Sequence, residues 1–404
     1  MTRALCLIAA AFVLAITSSP SAASIASGPL VATDASHIVV LEYEAWFGPN
    51  AVTFQNAEAM PLLQSADMQS VGGGYDSADP HVIAQHVAWM EYMGIDAVTV
   101  DLTNNVGCIF STGPVSREFC NPDTDAFRQS NRSIQSNTAN LYPAWTALGT
   151  PLKIIPLLGC QTQLDLNKGA DGKSGFQKEI EFFGRLDSRY PNLSVIYAGH
   201  PLMLVYVGTP VDPTVLYRTQ AVLRESGLDT RYTFRIVGGY LESQPTFWAN
   251  PNEIPTGPIR IASQYRFWSV VDRLKPAFRY FPTYSVTPHD PRRAENLTVS
   301  LATAGQTGWG CPQPTYCPDA SLRYADGSDF ERYAPQYATL TSFMRLAREI
   351  DPTFLIVDQF NEFAQPDEGW NADTSDDAEP TRLPGGWGYS GIDAIREAIQ
   401  AYRR

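Results

Sequence analysis

The stretch TFLIVDQFNEFAQPDEGW, residues 353–370, governs how the rest of the chain is read. Its first half is a short, continuous apolar run, the pattern of a strand buried on both faces of a parallel sheet. Its second half sets Asp358, Asn361, Glu362 and Glu368 where that strand should end. In α/β barrels the active site lies at the C-terminal ends of the strands.

Similar runs recur outward from this one: HIVVLEYEAW (37–46), DAVTVDL (96–102), LKIIPLL (152–158), LMLVYVG (202–208), YTFRIVGG (232–239), IRIAS (259–263) and FRYFPTY (278–284). Helical periodicity fills several intervals, as in SADPHVIAQHVAWMEYMGI, where Asp79 is placed to cap, Pro80 to open and Gly94 to end a helix. Strands alternating with helices predict a parallel sheet. About eight strands in one chain predict a single-domain (β/α)8 TIM-like barrel with long loops over residues 24–404. A doubly wound open sheet is the alternative, but no Gly-x-Gly-x-x-Gly follows the first strand. Helical patterns thin out over residues 240–277, so the barrel is expected to be irregular there.

The chain has 404 residues, 44% hydrophobic, which supports a large core, and its net charge of −13 repels nucleic acid. Residues 1–23 read as a secretory signal: Arg3, an apolar run over 4–16, then Ser21 and Ala23 before a cut. A secreted protein, not held in a membrane after signal removal, is expected. Cys108 with Cys120 and Cys311 with Cys317 read as two loop disulfides, and Cys160 as a buried thiol. Sequons fall at Asn131, Asn192 and Asn296. No metal-ligand spacing and no cofactor motif is present, and a monomer is expected. The run NADTSDDAE (371–379) lacks the spacing of a Ca2+ loop and reads as solvated. His86 sits on an apolar helical stripe and reads as a core histidine; His200 and His289 stand beside prolines as weaker candidates for substrate contact.

Polar residues at the expected strand ends include Glu42, Glu44, Asp101, Tyr206, Gln264, Tyr265, Asp358, Asn361 and Glu362, with Tyr43, Trp46, Phe47, Tyr240 and Phe363 among them. Carboxylates among aromatic rings suit sugars, which present apolar faces and hydroxyl edges. Strand parity puts Glu42 and Glu44 on one face, and Asp358, Phe360 and Glu362 on one face of the last strand. First and last strands are neighbours in a closed barrel, so Glu44 and Glu362 should lie within about 5–10 Å, the spacing of paired glycosidase carboxyls.

Four segments resemble the glycoside hydrolase family 99-like group of barrels, which includes endo-α-mannosidases: YEAWFGPN (43–50), YDSADPHVIAQHVAWMEYMGIDAVTVD (75–101), NEFA (361–364) and AEPT (378–381). The resemblance implies a barrel fold, a glycan substrate, and Glu362 as the residue that assists the sugar 2-hydroxyl. The family's second motif glutamate, three positions on, corresponds to Gln365, which cannot donate a proton as an acid does. Read with an insertion, Glu368 takes that place; otherwise Glu44 or Asp101 supplies the proton. Asn361, Asp101, Trp46, Tyr206, Tyr240, Gln264 and Tyr265 would then contact substrate. The expectation is a secreted, endo-acting glycoside hydrolase. Gln365 keeps a catalytically silent carbohydrate-binding barrel as its rival, and the absence of a Gly-x-Ser-x-Gly elbow weighs against an esterase.

Overall fold

A computed structural model of the chain describes residues 28–404, except 56, 58, 104–124, 160–165, 167, 208–212, 239–258, 262–266, 270–282, 288–292, 302–336, 364–376 and 384–386. The strands are β1 (Leu30–Ala32), β2 (Ile38–Glu44), β3 (Ala97–Asp101), β4 (Lys153–Gly159), β5 (Val195–Tyr197), β6 (His200–Tyr206), β7 (Thr233–Gly238), β8 (Ile259–Ile261), β9 (Phe267–Ser269), β10 (Thr283–Val286), β11 (Ala294–Ser300) and β12 (Phe354–Asp358). The α-helices are α1 (Pro80–Met93), α2 (Asp125–Leu148), α3 (Gly175–Arg189), α4 (Pro213–Glu225), α5 (Ala338–Ile350) and α6 (Ser390–Tyr402).

Parallel ladders run without a break through eight strands in the order β9-β7-β6-β4-β3-β2-β12-β11. β10 adds to β11 antiparallel, with β8 beyond it. The first and last long strands predicted from the sequence, β2 and β12, are indeed neighbours. No ladder joins β9 to β11 among the described residues, but the two strands touch, and side chains bridge them. The result is a (β/α)8-type barrel whose seam is closed by side chains.

Parity sorts each strand. Val39, Leu41 and Tyr43 of β2 face an outer apolar layer shared with the helices, while Ile38 and Val40 face the barrel interior with Ala97, Ile155, Leu204, Phe354 and Ile356. This two-sided burial is why β2, β3, β4 and β12 read as unbroken apolar runs. α1 begins where expected: the Asp79 carboxylate accepts from His81 N at 2.9 Å, and Gly94 closes the helix in the left-handed region with φ 86°.

The base of the interior is ionic. Glu295 of β11 is fully buried and accepts from Arg235 of β7 (Nε 3.0 Å, Nη2 2.6 Å), Trp268 Nε1 of β9 (2.6 Å) and the Tyr197 hydroxyl of β5 (2.9 Å). Four donors from three strands thus converge on one carboxylate across the seam. A charge this deep is tolerated only when paired and fully hydrogen-bonded.

Asp187 of α3 is less well served. Burial pushes its carboxyl up to about 7. Folded Asp187 keeps its proton to about pH 7, while an unfolded aspartate releases it near pH 4, so the native state binds more protons in between and stability falls as pH rises through that window. Asp187→Asn should remove this slope and gain about 1–2 kcal/mol at pH 8, with little change at pH 4, in chemical unfolding at both pH values. An unchanged pH slope would show that Asp187 is ionised in the native state.

Two of the three sequons are structural: Asn131 of α2 and Asn296 of β11 are buried, and only Asn192 is exposed. The signal segment and all cysteines lie outside the described residues. Among the described residues no helix is long and apolar enough to cross a membrane.

Candidate active site

The inner face of β2 changes character along its length. After Ile38 and Val40 the next inward residues are Glu42 and Glu44. The β2–β3 register sets Glu44 against Asp101, and one oxygen from each of Glu42, Glu44 and Asp101 lies within 4.8 Å of the others. β12 pairs Val357 with Leu41, so Asp358 continues beside Glu42, and the two carboxyl groups influence each other. Glu362 lies just beyond β12, half-buried, and accepts from the Gln359 amide. Asp101 is steadied by Thr103, whose N and Oγ1 donate to it at 2.5 and 3.2 Å. Five carboxyl groups thus share the C-terminal end of three adjacent strands.

Their electrostatics is one-sided. Burial pushes Glu42 up to about 7, with neighbouring Asp358 acting in the opposite direction and the charge of Glu362 adding to the rise. Burial raises Glu44 well above the carboxylate range, helped by Glu42, Asp101, Glu362 and Asp377. Asp101 is raised for the same first reason, with Glu42 next. Each neighbouring charge that acts on these three groups is negative, so protons or a cation must offset them. Glu42, Glu44 and Asp101 form an all-oxygen set of the kind that could hold a hard divalent cation. Without one, burial and the neighbouring acids favour the protonated forms of Glu44 and Asp101, the forms that can act as acids.

Around the cluster the chain is tied down tightly. Asn361, fully buried, accepts from Glu44 N and donates to Glu44 O, both at 2.9 Å, so its amide pairs with the main chain of β2 as a strand would. Trp46 is buried and donates from Nε1 to Asp101 O at 3.2 Å. Phe47, Phe54, Tyr75 and Phe363 pack with Met68 and Val82 as a separate aromatic core beside the site. Phe47 and Phe363, expected from the sequence as sugar platforms, are therefore packed into this core, while Trp46 is buried in the main core beside the site.

The parity expected beyond β12 also changes. The strand ends at Asp358, and Phe360 turns outward against Tyr43 and His86, at ring distances of 6.0 and 5.2 Å. Period-two alternation holds only while the ladder lasts. Glu362 still returns to the inner side, where its charge acts on Glu42, Glu44 and Asp101. The end of the NADTSDDAE run is buried rather than solvated: the Asp377 carboxylate accepts from Phe363 N at 3.1 Å, and that of Glu379 from the Tyr75 hydroxyl at 2.7 Å. His200 opens β6 at the opposite end of the barrel and is exposed.

Of the residues chosen from sequence, Glu44, Glu362, Asp101, Asn361 and Trp46 come together here. Tyr206 ends β6, half-buried, in register with Gly159 and Val237. Glu368, Tyr240, Gln264, Tyr265, Gln365 and His289 lie outside the described residues. Glu42 and Asp358 belong to the cluster as fully as Glu44. Parity had placed them on the right faces, and their closeness across the β2–β12 pair is what the structure adds.

No protein-family model matches this chain, and no curated protein matches it. Among solved structures it is similar to a family 99 endo-α-mannosidase from Bacteroides thetaiotaomicron in complex with bis-tris propane, at 12% identity over 91% of this chain and 97% of that one, TM-score 0.49. It is also similar to a glycoside hydrolase-like protein, at 12% identity over 93% and 97% of the two chains, TM-score 0.43. At this distance no family membership follows.

Proposed function

We propose that this chain is a glycoside hydrolase that cleaves a polysaccharide or glycan internally through its buried carboxyl cluster. What supports this is one observation: five carboxyl groups converge at the C-terminal end of the barrel, four buried and one half-buried, with two raised well above their usual range and a third up to about 7. Glycoside hydrolysis needs a carboxylate and a protonated carboxyl side by side, and burial with mutual repulsion among these acids favours that pairing. Glu362 is the group that reaches outward, and acts as nucleophile, base or 2-hydroxyl assistant. Glu44 is the proton donor, because burial and its acidic neighbours raise its carboxyl well above the ordinary carboxylate range; Glu368 is the other candidate. Asp101, Trp46 and Asn361 support the site from beneath, and Tyr206, Tyr240, Gln264 and Tyr265 shape the sugar subsites. Residues 1–23 direct export, so the enzyme works outside the cell on a glycan, as a monomer. Gln365, where the resembled family has its acid, favours the second reading, a barrel that binds glycans without cleaving them.

The pH–rate profile tests the acid chemistry. Glu42 is protonated below about pH 7 and ionised above it. Its ionisation adds a negative charge beside Glu44 and Glu362, so kcat should fall as pH rises through about 7. Glu42→Gln cannot ionise, and should abolish the limb near pH 7. A limb that stays in place in this variant would remove Glu42 from the proton inventory.

A further inference from the structure

We infer that Glu379 is a positioning residue of the carboxyl cluster, acting through Tyr75 and Asn361 on the main chain of Glu44. The inference rests on the proposed function for its kinetic readout only. Glu379 belongs to a segment that folds back over the exit of β12: Ala378 N donates to Gln359 O at 3.0 Å and Glu379 N to Phe360 O at 2.9 Å, while Phe360 N donates to Glu42 O at 3.0 Å. Its carboxylate is thereby carried into the interior, where 1% of the residue is exposed.

From there a single buried path of side chains leads to the cluster. The Tyr75 hydroxyl donates to Glu379 Oε2 at 2.7 Å. Burial first, then the Glu379 charge, raises Tyr75 well above its usual range, so it stays a neutral donor. With its proton given to Glu379, the Tyr75 oxygen can only accept, and it accepts from Asn361 Nδ2 at 2.9 Å. That fixes the orientation of the Asn361 amide. A flipped amide would set Oδ1 against the Tyr75 oxygen and the Glu44 carbonyl, and NH2 against the Glu44 N–H. In the orientation held, Oδ1 takes Glu44 N and Nδ2 takes Glu44 O, both at 2.9 Å. Glu44 therefore cannot shift away from Glu42 and Asp101 without breaking two bonds to Asn361. On the far side, Glu379 Oε1 faces His86 Nε2 at 3.3 Å, and His86 Nδ1 meets the Tyr43 hydroxyl at 3.1 Å, which ties the path to α1 and to the outer face of β2. None of Tyr75, His86 or Glu379 is more than 1% exposed, so none can touch a substrate.

Two chemistries of Glu379 separate cleanly. If the path needs an acceptor for Tyr75, Glu379→Gln suffices: its carbonyl oxygen takes the Tyr75 proton, and its amide donates to His86 in the other tautomer. Glu379→Leu removes the acceptor, and Tyr75→Phe cuts the path without touching Glu379. The experiment measures melting temperature, steady-state kinetics and a pH titration of 13C-labelled carboxyl groups for wild type and the three variants. Tyr75→Phe and Glu379→Leu should stay folded and lose kcat by about 10–100-fold with KM within about threefold, since a misplacement of about 1 Å is enough for this. Glu379→Gln should stay within about threefold of wild type in kcat. The Glu44 carboxyl titration should move down toward the ordinary carboxylate range in the first two variants, as a freed Glu44 hydrates and leaves Glu42, Asp101, Glu362 and Asp377. Unchanged kcat and unchanged titration in Tyr75→Phe would overturn the inference. So would an equal loss in Glu379→Gln and Glu379→Leu. If wild type cleaves no glycan, the proposed function fails alone, and the carboxyl titration still decides this inference.

Discussion

Glu362→Gln should lower kcat on any glycan the protein cleaves by about 10²–10⁴-fold, while KM stays within a small factor and the fold is intact. The substitution is isosteric and removes one thing, the ability to take or give a proton or to attack as a carboxylate. Glu362 is the half-buried member of a cluster whose other members are buried, so it is the group a sugar can meet. Its stability cost should be small. The Gln359 amide that donates to it can donate equally to a carbonyl oxygen. Removing its charge also relieves Glu42, Glu44 and Asp101, each of which it pushes upward. Initial-rate kinetics beside a thermal melt check both halves. Near-full activity would take Glu362 out of the chemistry and move the search to Glu44 and Glu368.

The largest stability effect should come from the other end of the barrel. Glu295→Ala should cost about 3–5 kcal/mol, because it leaves the buried Arg235 guanidinium without a counter-charge and Trp268 Nε1 without its acceptor, and leaves the Tyr197 hydroxyl only Asp34 Oδ1 to bond. Those groups come from β7, β9 and β5, so one substitution unties the seam that no backbone ladder closes. Glu295→Gln keeps an acceptor for Trp268 or Tyr197 but not the charge, and should fall between the two. Chemical unfolding gives the values; a loss below about 1 kcal/mol for Glu295→Ala would mean that the seam is held by apolar packing alone. The site's carboxyls lie at the opposite end, so the folded fraction of this variant should keep its kcat.

These two ends also mark what the sequence could and could not tell. The continuous apolar runs of β2, β3, β4 and β12 announce themselves, because both faces are buried among apolar neighbours. β11 does not. Its sequence, AENLTVS, turns Glu295, Asn296 and Thr298 into fully buried positions, so a polar string hides a central strand. β1, β5 and β9 are three residues each, too short to carry a period. α2 spans 24 residues but is polar on average and contains Pro143, which breaks the usual signal. At the site, period-two counting found the inward acids Glu42, Glu44 and Asp358, then failed at Phe360, where the ladder had ended. Glu379 was hidden by the Asp-rich run before it; only the fold-back over β12 shows that its carboxylate is buried and bonded.

The most direct test of the account is product release by the purified mature protein from a panel of α- and β-linked polysaccharides and glycans, with Glu362→Gln measured beside it. Oligosaccharides released by wild type and not by the variant are the predicted result. They would name the substrate and place the carboxyl cluster in the chemistry. No release from any glycan, with binding kept equally by both proteins, would contradict it and leave a barrel that holds glycans without cutting them.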